Sequence, residues 1–563
     1  MWMLKSSASV KEARDQHREG RWTVKSLRQR RMQPTLLALE DRRLLSTFTV
    51  TSTLDNGSVG TLRWAVGQAN SAGGAETIAF DKTVFKTPQT ITLTGTQLEL
   101  TDTTGTETIT GPKAGVTVSA GGHSRVFQVD RGVTATISGL TITGGSAATG
   151  GGLENLAGTA TLTNCTVSGN TASTESGGGL YNFSGTLSLT GCSVSGNYAY
   201  NAGGGLYSLN GTASLSKCTV TSNYGFFGGG VAIHNGTATL ANTTVSGNSG
   251  VSGGGLNNDG GTVTLNKCTV SGNSTDLSGG GVYNAYGTVK LTNCIVSGNS
   301  APQGGGVYTD GSAKVTLSYC TVSNNSASEG GGLYNDGSKA TLSNCTVSGN
   351  SATVSGGGVF NMKGYYGGKT TLTDCTVSGN SAASGGGLFN GTDSYGGATA
   401  ALTTCTVSGN FAMDGGGIAN QGTLTISSCQ ILTNQAAAEG GGIASTSGHV
   451  TITNNSVINS NQASSTGTAL GGGIFSENSV LTLTDCTVSA NHANGATALG
   501  GGIYAFDSTV NLQSCTVTTN QANGTVLGEG GGIYSHGGVL KLVSSTPIGN
   551  NATTSYSDLY DSQ

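Results

Sequence analysis

From residue 140 onward, hydrophobic and polar residues alternate in short runs that are separated by glycine and asparagine. In the segment 279–299, for example, the runs 282–283, 288–291 and 294–296 are two to four residues long. Runs of this length, bounded by turn residues, predict β-strands. One such segment cannot bury its apolar face alone, whereas a stack of segments buries a continuous core.

The pattern returns at a nearly constant spacing. Triple glycines occur fifteen times, each followed by an aliphatic residue, and all twelve cysteines fall in one phase of the repeat. Aligning the chain on Cys375 gives sixteen equivalent positions, 24 to 31 residues apart. They are Leu140, Cys165, Cys192, Cys218, Thr243, Cys268, Cys294, Cys320, Cys345, Cys375, Cys405, Cys429, Asn455, Cys486, Cys515 and Ser545. The repeat predicts an all-β fold, a single parallel β-helix of sixteen or more turns.

Stacking places residues of the same phase about 4.8 Å apart, in ladders along the axis. We expect side chains equivalent to Leu291, Cys294 and Val296 to point inward. Asparagines at one corner should stack their amides as in other stacked strands: Asn170, Asn197, Asn223, Asn248, Asn273, Asn299, Asn325, Asn350, Asn380 and Asn410. The glycines at the second corner should provide positive φ or close backbone approach.

The two ends of the chain differ from the repeats. Residues 61–70 have Leu62, Ala65, Val66 and Ala69 at helical spacing, which predicts a short amphipathic helix that caps the first turn. We therefore divide the chain into a disordered N-terminal or targeting segment, a cap with irregular first turns, regular repeats and a polar tail, at residues 1–46, 47–139, 140–550 and 551–563. The tail offers no evident cap, so either the polar tail itself protects the last turn or copies associate end to end.

Charge excludes one class of function. Residues 1–43 contain 11 of the 25 Lys and Arg residues, and no Arg follows Arg131. A nucleic-acid surface needs a basic stripe to displace counterions from phosphates, and the body of the chain has none. No window of 18 apolar residues occurs either, so we predict no transmembrane helix.

Two resemblances to known families concern the repeats and the N-terminus. The motifs "GGG(L/V/I)" and "VSGN" over about residues 125–550 resemble the "GGA(I/V)" and "FxxN" motifs of the polymorphic outer-membrane protein repeat family, with Gly for Ala and Val for Phe. This resemblance implies a right-handed parallel β-helix. The stretch "PTLLALEDRRLLS" at 34–46 resembles a motif that opens many large surface and secreted proteins of planctomycete bacteria, and it implies export.

The cysteines favour a structural interpretation. Equivalent Cβ atoms in neighbouring turns would lie about 4.8 Å apart, beyond the 3.5–4.5 Å of a disulfide. Zinc sites need paired cysteines or interspersed histidines at short spacing, and neither occurs. We therefore expect small buried thiols that Thr or Ser can replace, and we predict no metal or other cofactor.

An enzyme remains the alternative to a structural protein. A lyase acting on uronates needs cationic side chains, and those after residue 140 are eight scattered lysines. A hydrolase needs two carboxylates, for which Asp414 and Glu439 in adjacent turns are candidates. The same phase elsewhere holds Ser252, Ser278 and Gln303, which is typical of a tolerant polar position.

Aromatic residues give the candidate binding surface. Five successive turns have an aromatic residue two positions after the glycines, and alternation points it outward: Tyr283, Tyr308, Tyr334, Phe360 and Phe389. Insertions in the same region add Tyr365, Tyr366 and Tyr395. Such a stripe can stack on sugar rings, or its rings can stack on each other and stiffen the sheet.

These features predict a secreted or cell-surface protein with a structural or adhesive role and without catalytic activity. The alternative is a carbohydrate-active enzyme, a glycoside hydrolase or lyase, or a carbohydrate-binding protein on the same scaffold. The expected partners are a cell-envelope or extracellular polysaccharide or another surface protein.

Overall fold

The computed structural model describes residues 46–562. These residues form a parallel β-helix of about 20 turns, in which strands pair with their equivalents in the next turn. The fold class predicted from the repeat is therefore confirmed. One loop adds an antiparallel pair, Thr392–Asp393 with Gly396–Gly397. The predicted targeting segment and its export motif lie outside the described residues, except for Ser46.

One regular turn has four strands, which define four faces of the solenoid. Faces 1 to 4 are represented by the strands Leu256–Asp259, Thr262–Asn266, Thr269–Ser271 and Ser274–Ser278. The sequence predicted the first three, whereas face 4 is irregular and in some turns is reduced to isolated bridges. Near the C-terminal end, faces 1 and 2 merge into the continuous strands Ile503–Gln513 and Ile533–Val543.

The first turns are less regular and carry the cap. Their strands are Ser46–Val50, Glu76–Phe80, Gln89–Thr92, Leu98–Leu100, Thr106–Thr110, Val116–Ser119, Phe127–Val129 and Thr134–Ser138. A single helix, α1, spans Leu62–Ala72 and begins where Thr61 accepts the backbone N–H of Trp64 through its side chain. Its buried residues are Leu62, Ala65, Val66 and Ala69, so the predicted cap helix is confirmed.

The interior is one continuous apolar core from Val50 to Ile533. Leu291, Cys294 and Val296 point into it as predicted. Because the inward positions of successive turns lie in register, each apolar side chain packs on its equivalents above and below. The interior is therefore filled by side chains.

The predicted asparagine corner, from Asn170 to Asn410, is confirmed, and it continues through five further asparagines to Asn550. In a typical turn, Nδ2 of Asn299 donates to the carbonyl oxygen of Val270 at 3.0 Å and to Oδ1 of Asn325 at 2.9 Å. The same Oδ1 accepts the backbone N–H of Asn299 at 3.0 Å. Each buried amide thus satisfies backbone groups that the turn leaves unpaired.

A second amide corner between faces 1 and 2 was not predicted. There Asn258 donates through Nδ2 to Oδ1 of Asn284 at 2.8 Å and to the carbonyl of Gly261 at 3.0 Å. In other turns Ser208 or Thr309 takes the place of the asparagine. This mixture of residue types hides the corner from a sequence comparison.

All twelve cysteines are buried and free. Sγ of Cys320 accepts the backbone N–H of Cys294 at 3.4 Å and donates to the carbonyl of Ser318 at 3.3 Å. A hydroxyl can make the same two bonds, which explains Thr243 and Ser545 at equivalent positions.

One alignment position was wrong, because Ser456, and not Asn455, accepts the backbone N–H of Cys429 at 3.1 Å. Asn454 and Asn455 both have positive φ, so this turn contains one extra residue. That residue shifts the repeat by one position.

Residues 551–562 continue the ladders. Asn551–Ala552 pairs with the strand Gln521–Glu529, and Leu559–Ser562 pairs with Ile533–Val543. Oδ1 of Asp558 accepts the backbone N–H of Asn550 at 2.9 Å and its Nδ2 at 3.0 Å, and so takes the place of the next asparagine. End-to-end association of copies stays a prediction.

Candidate functional site

The triple-glycine corner between faces 4 and 1 forms a groove along the solenoid. The first glycine of each triplet has positive φ, for example +69° at Gly279, and a Cβ there would lie 2.8 Å from Cα of Tyr283. A side chain at this position would be strained and would collide with the groove floor. Glycine therefore lets the residue two positions after the triplet lie close against the corner.

The five predicted aromatic residues form part of that floor. Successive rings from Tyr283 to Phe389 have centroids 4.4 to 5.3 Å apart. They form an apolar cluster separate from the solenoid interior, so they do point outward. However, four of them are only 4–9% exposed, because each ring covers the faces of its neighbours. This favours mutual stacking, the second of the two interpretations, over open sugar platforms.

The three loop tyrosines lie apart from this stack, on insertions between faces 1 and 2. Tyr365 is 73% exposed and packs edge-on against Tyr366 and Tyr395, with centroids 5.0 and 5.6 Å away. The backbone N–H of Gly364 donates to Asp393 at 2.6 Å and joins the two loops. Their role in binding stays a prediction.

The aromatic floor is longer than the sequence analysis recognised, and we call it the groove ladder. Its register positions from Tyr181 onward are Tyr181, Tyr207, Ala232, Asn257, Tyr283, Tyr308, Tyr334, Phe360, Phe389, Ala419, Ala444, Phe475, Tyr504, Tyr534 and Tyr560. Two pairs of small residues interrupt the aromatic series. The first gap is Ala232 with Asn257, and the second gap is Ala419 with Ala444.

The first gap opens into a pocket of about 370 Å³. Tyr207 and Tyr283 line its two ends, and Phe227 of face 4 forms part of one wall. On the other wall, Nδ1 of His234 lies 2.9 Å from Oδ2 of Asp259, and both side chains are half-exposed. The pocket thus combines aromatic ends with a polar rim.

Face 4 beside this pocket carries an exposed aromatic patch that the sequence analysis missed. It consists of Tyr198, Tyr200, Tyr224, Phe226 and Phe227. Tyr198 and Tyr224 stack with centroids 5.3 Å apart. The available signal was the aromatic residue directly after the ladder asparagine in "NYAYNA" and "NYGFF", where seven other turns have Ser or Thr.

The second gap is bordered by acids. Asp414 and Glu439 are register partners in adjacent turns of face 4, as predicted. Burial, with the charges of Asp414 and Glu477, raises the pKa of Glu439 to about 7. Burial also raises the pKa of Asp414. The structure therefore brings the predicted pair together and adds Glu477, which the sequence analysis did not single out.

A further acid, Asp310, contacts the first ring of the stack that runs from Tyr283 to Phe389. The hydroxyl of Tyr283 donates to Oδ2 of Asp310 at 3.3 Å. Burial raises the pKa of Asp310 to about 6, although this hydrogen bond lowers it. Tyr283 is thereby fixed at the edge of the first gap.

Residues 46–562 contain neither a candidate metal site nor a membrane-spanning helix. No group of three or more His, Cys, Asp or Glu side chains in this range is arranged to hold a metal ion. Within the same range, no helix is both long and apolar enough to cross a membrane.

Comparisons with known proteins concern mainly the scaffold. The family described as the right-handed β-helix region matches residues 230–395 and 358–540, which together exceed half of the chain. Among curated proteins, none has a significant sequence match. A solved structure described as pectate lyase Pel9A aligns with a TM-score of 0.35 and 14% identity, over 56% of this chain and 78% of that one. A likeness of this size carries no weight for substrate or reaction, which rest on this chain's own residues.

Proposed function

The chain belongs to the right-handed β-helix family, and we propose that it is a non-catalytic scaffold with an adhesive role, at the cell surface or outside the cell. The carrying observation is the asparagine corner, which runs without a break from Asn170 to Asn550. Every turn repeats the same buried hydrogen bonds, so the repeated side chains serve stability.

The proposed location rests on sequence features. Residues 34–46 resemble an export motif, and the repeats resemble the polymorphic outer-membrane family. The experiment is fractionation of cells that express the full chain or a version without residues 1–46. Export of the full chain alone is expected, and equal retention of both versions inside the cell would contradict the proposed location.

The absence of catalysis is tested with the full chain against neutral and uronic polysaccharides. New reducing ends and unsaturated products are measured over a long incubation, and neither is expected to exceed the level of a heat-inactivated sample. Cleavage of any glycan would overturn the scaffold proposal. Adhesion is measured in parallel, as retention of the protein on the same immobilised polysaccharides.

A glycoside hydrolase is the second candidate, and Asp414 with Glu439 is the observation that favours it. Adjacent strands lie about 4.8 Å apart, close to the 5–5.5 Å between carboxyl groups of retaining glycosidases. A carboxyl with a pKa of about 7, as for Glu439, suits a general acid, and Asp414 would then be the nucleophile.

The variants Asp414→Asn and Glu439→Gln distinguish the two candidates if cleavage is seen. For a hydrolase, both variants should lose at least a hundredfold in the rate of glycan cleavage. Glu329→Gln, at the equivalent position three turns before Asp414, should leave that rate unchanged. Equal activity of all three variants would exclude this pair as the catalytic site.

A further inference from the structure

We infer that the first gap of the groove ladder is a binding site for one neutral sugar ring, stacked on Tyr207 at the level of Ala232. This rests on the proposed adhesive role and makes it specific, because it names a ligand class and the place that binds it. The strands on both sides of the gap pair without a ligand.

The space at the gap matches a ring. Tyr207 and Tyr283 are three turns apart, about 14 Å at the strand spacing, whereas rings in successive turns of the groove ladder lie 4.4 to 5.6 Å apart. Two ring positions are therefore unoccupied by aromatic side chains. Asn257 fills the second of them, whereas the first holds only the methyl group of Ala232, and both side chains form the buried floor of the pocket, 5% and 2% exposed.

The volume and lining agree with a small ligand. At about 370 Å³ the pocket lies at the lower end of the 300–1,000 Å³ usual for ligand sites. Tyr207 faces Tyr181 on one side, at 5.6 Å between centroids, and its other side is turned toward the gap. A sugar presents C–H groups to such a ring and needs hydrogen-bonding partners around its edge.

The rim supplies those partners. His234, Asp259, Asn201, Asn257 and Tyr286 line the pocket and offer both donors and acceptors. Neither Lys nor Arg is among the lining residues, so a carboxylate or phosphate would find no cation there. Asp259 would repel such a group. The chemistry therefore favours a neutral sugar over a uronic acid or a nucleotide.

The exposed patch on face 4 extends the site. Phe227 belongs both to the pocket wall and to the patch, which continues over Phe226 to Tyr224 and Tyr198. A glycan chain that leaves the pocket on this side meets further ring faces. We therefore expect binding to strengthen from a monosaccharide to a tetrasaccharide.

The test uses the full chain and a matched pair of substitutions. Ala232→Tyr completes the groove ladder at the first gap, and Ala419→Tyr makes the same change at the second gap. Calorimetric titration with β-linked gluco-, xylo- and manno-tetrasaccharides, and with tetragalacturonate, measures the dissociation constants. Adenosine is included as a ligand whose flat purine base can stack on a tyrosine, in contrast to the puckered ring of a sugar.

One of the neutral tetrasaccharides is expected to bind the unsubstituted protein. Its dissociation constant should rise at least tenfold in Ala232→Tyr and stay the same in Ala419→Tyr. Circular dichroism checks that both variants remain folded. If Ala232→Tyr does not fold, Tyr207→Ala is used, with Tyr534→Ala as its control. Binding of no neutral sugar, equal loss in both variants, or a preference for galacturonate or adenosine would each overturn the inference. Since binding and cleavage are measured separately, failure here leaves the scaffold proposal standing.

Discussion

The asparagine corner and the groove ladder run along the same turns, one inside the solenoid wall and one on its surface. The corner has an asparagine in every turn from Asn170 to Asn550, whereas the groove ladder has two gaps, at Ala232 with Asn257 and at Ala419 with Ala444. Both ladders are built by register stacking. They differ in what happens when one turn lacks the repeated side chain.

An omission at the corner would leave buried backbone groups without hydrogen-bonding partners, which is costly in every turn alike. An omission in the groove removes ring contacts but leaves a cavity that opens to solvent. The corner therefore keeps asparagine in every turn from Asn170 to Asn550, while the groove varies and can present different surfaces in different turns. Variation within a repeat, and not repetition, indicates where binding is to be sought.

The largest effect is expected for Asn325→Ala. The change removes Oδ1 as acceptor for the backbone N–H and Nδ2 of Asn299, and it removes the donor to the carbonyl of Val296. Three buried groups lose partners at about 1–3 kcal/mol each, so we expect the free energy of unfolding to fall by about 4 kcal/mol. Urea titration followed by circular dichroism measures it.

Asn266→Ala is the control for this change, because its side chain is exposed and its backbone lies in a regular strand. It should change stability by less than about 0.5 kcal/mol. Similar losses in both variants would show that the amide bonds of the corner are not the source of its uniformity.

Next in size is Tyr334→Ala in the middle of the groove ladder. Its ring lies 5.1 Å from that of Tyr308 and 4.4 Å from that of Phe360. Loss of a buried ring costs about 3 kcal/mol. The same titration on Tyr365→Ala, an exposed loop tyrosine, should give less than about 0.5 kcal/mol. A negligible loss for Tyr334→Ala would mean that the rings serve a ligand and not the sheet.

A smaller effect concerns pH at the second gap. Since burial raises the pKa of Glu439 in the folded protein to about 7, its protonated form is favoured by folding. This group should therefore lower stability progressively as pH rises from its ordinary pKa of 4.5 to about 7. Glu439→Gln should reduce this decline, as measured by melting temperature at pH 4, 6 and 8. A parallel pH dependence in both proteins would contradict the shifted pKa.

The smallest effect is expected for Cys320→Ser. A hydroxyl can accept the backbone N–H of Cys294 and donate to the carbonyl of Ser318 as the thiol does. The cost should stay below about 1 kcal/mol, since Ser456 and Ser545 already occupy equivalent positions. A loss above about 2 kcal/mol would show that packing volume, and not hydrogen bonding, determines this position.

Much of the scaffold can be predicted from the sequence, because stacking places equivalent residues of successive repeats in a ladder along the axis. The asparagine corner as far as Asn410, the inward cysteines and a helix over residues 61–70, observed at Leu62–Ala72, were each predicted from spacing alone. The extra residue at Asn454 and Asn455 was not, because only the backbone conformation reveals a shift of one position.

The candidate site was predictable only in part. Alternation correctly pointed Tyr334 outward, but it gave no sign that neighbouring rings would cover its faces, which depends on how closely the glycine corner approaches. The first gap was invisible for a different reason. It is defined by the absence of aromatic rings at Ala232 and Asn257. A search of the sequence for aromatic residues does not mark the turns that lack them.

The uniform corner also bears on how such a chain can change its length. Each turn offers the next the same donors and takes the same acceptor, so any turn can follow any other. Deleting residues 320–344 would join Tyr319 to Cys345, and Asn299 would then meet Asn350 in place of Asn325. Unequal recombination between repeats in the gene would thus yield shorter or longer proteins in which the asparagine corner stays continuous. It would also move a surface pocket along the solenoid axis without changing the residues that line it.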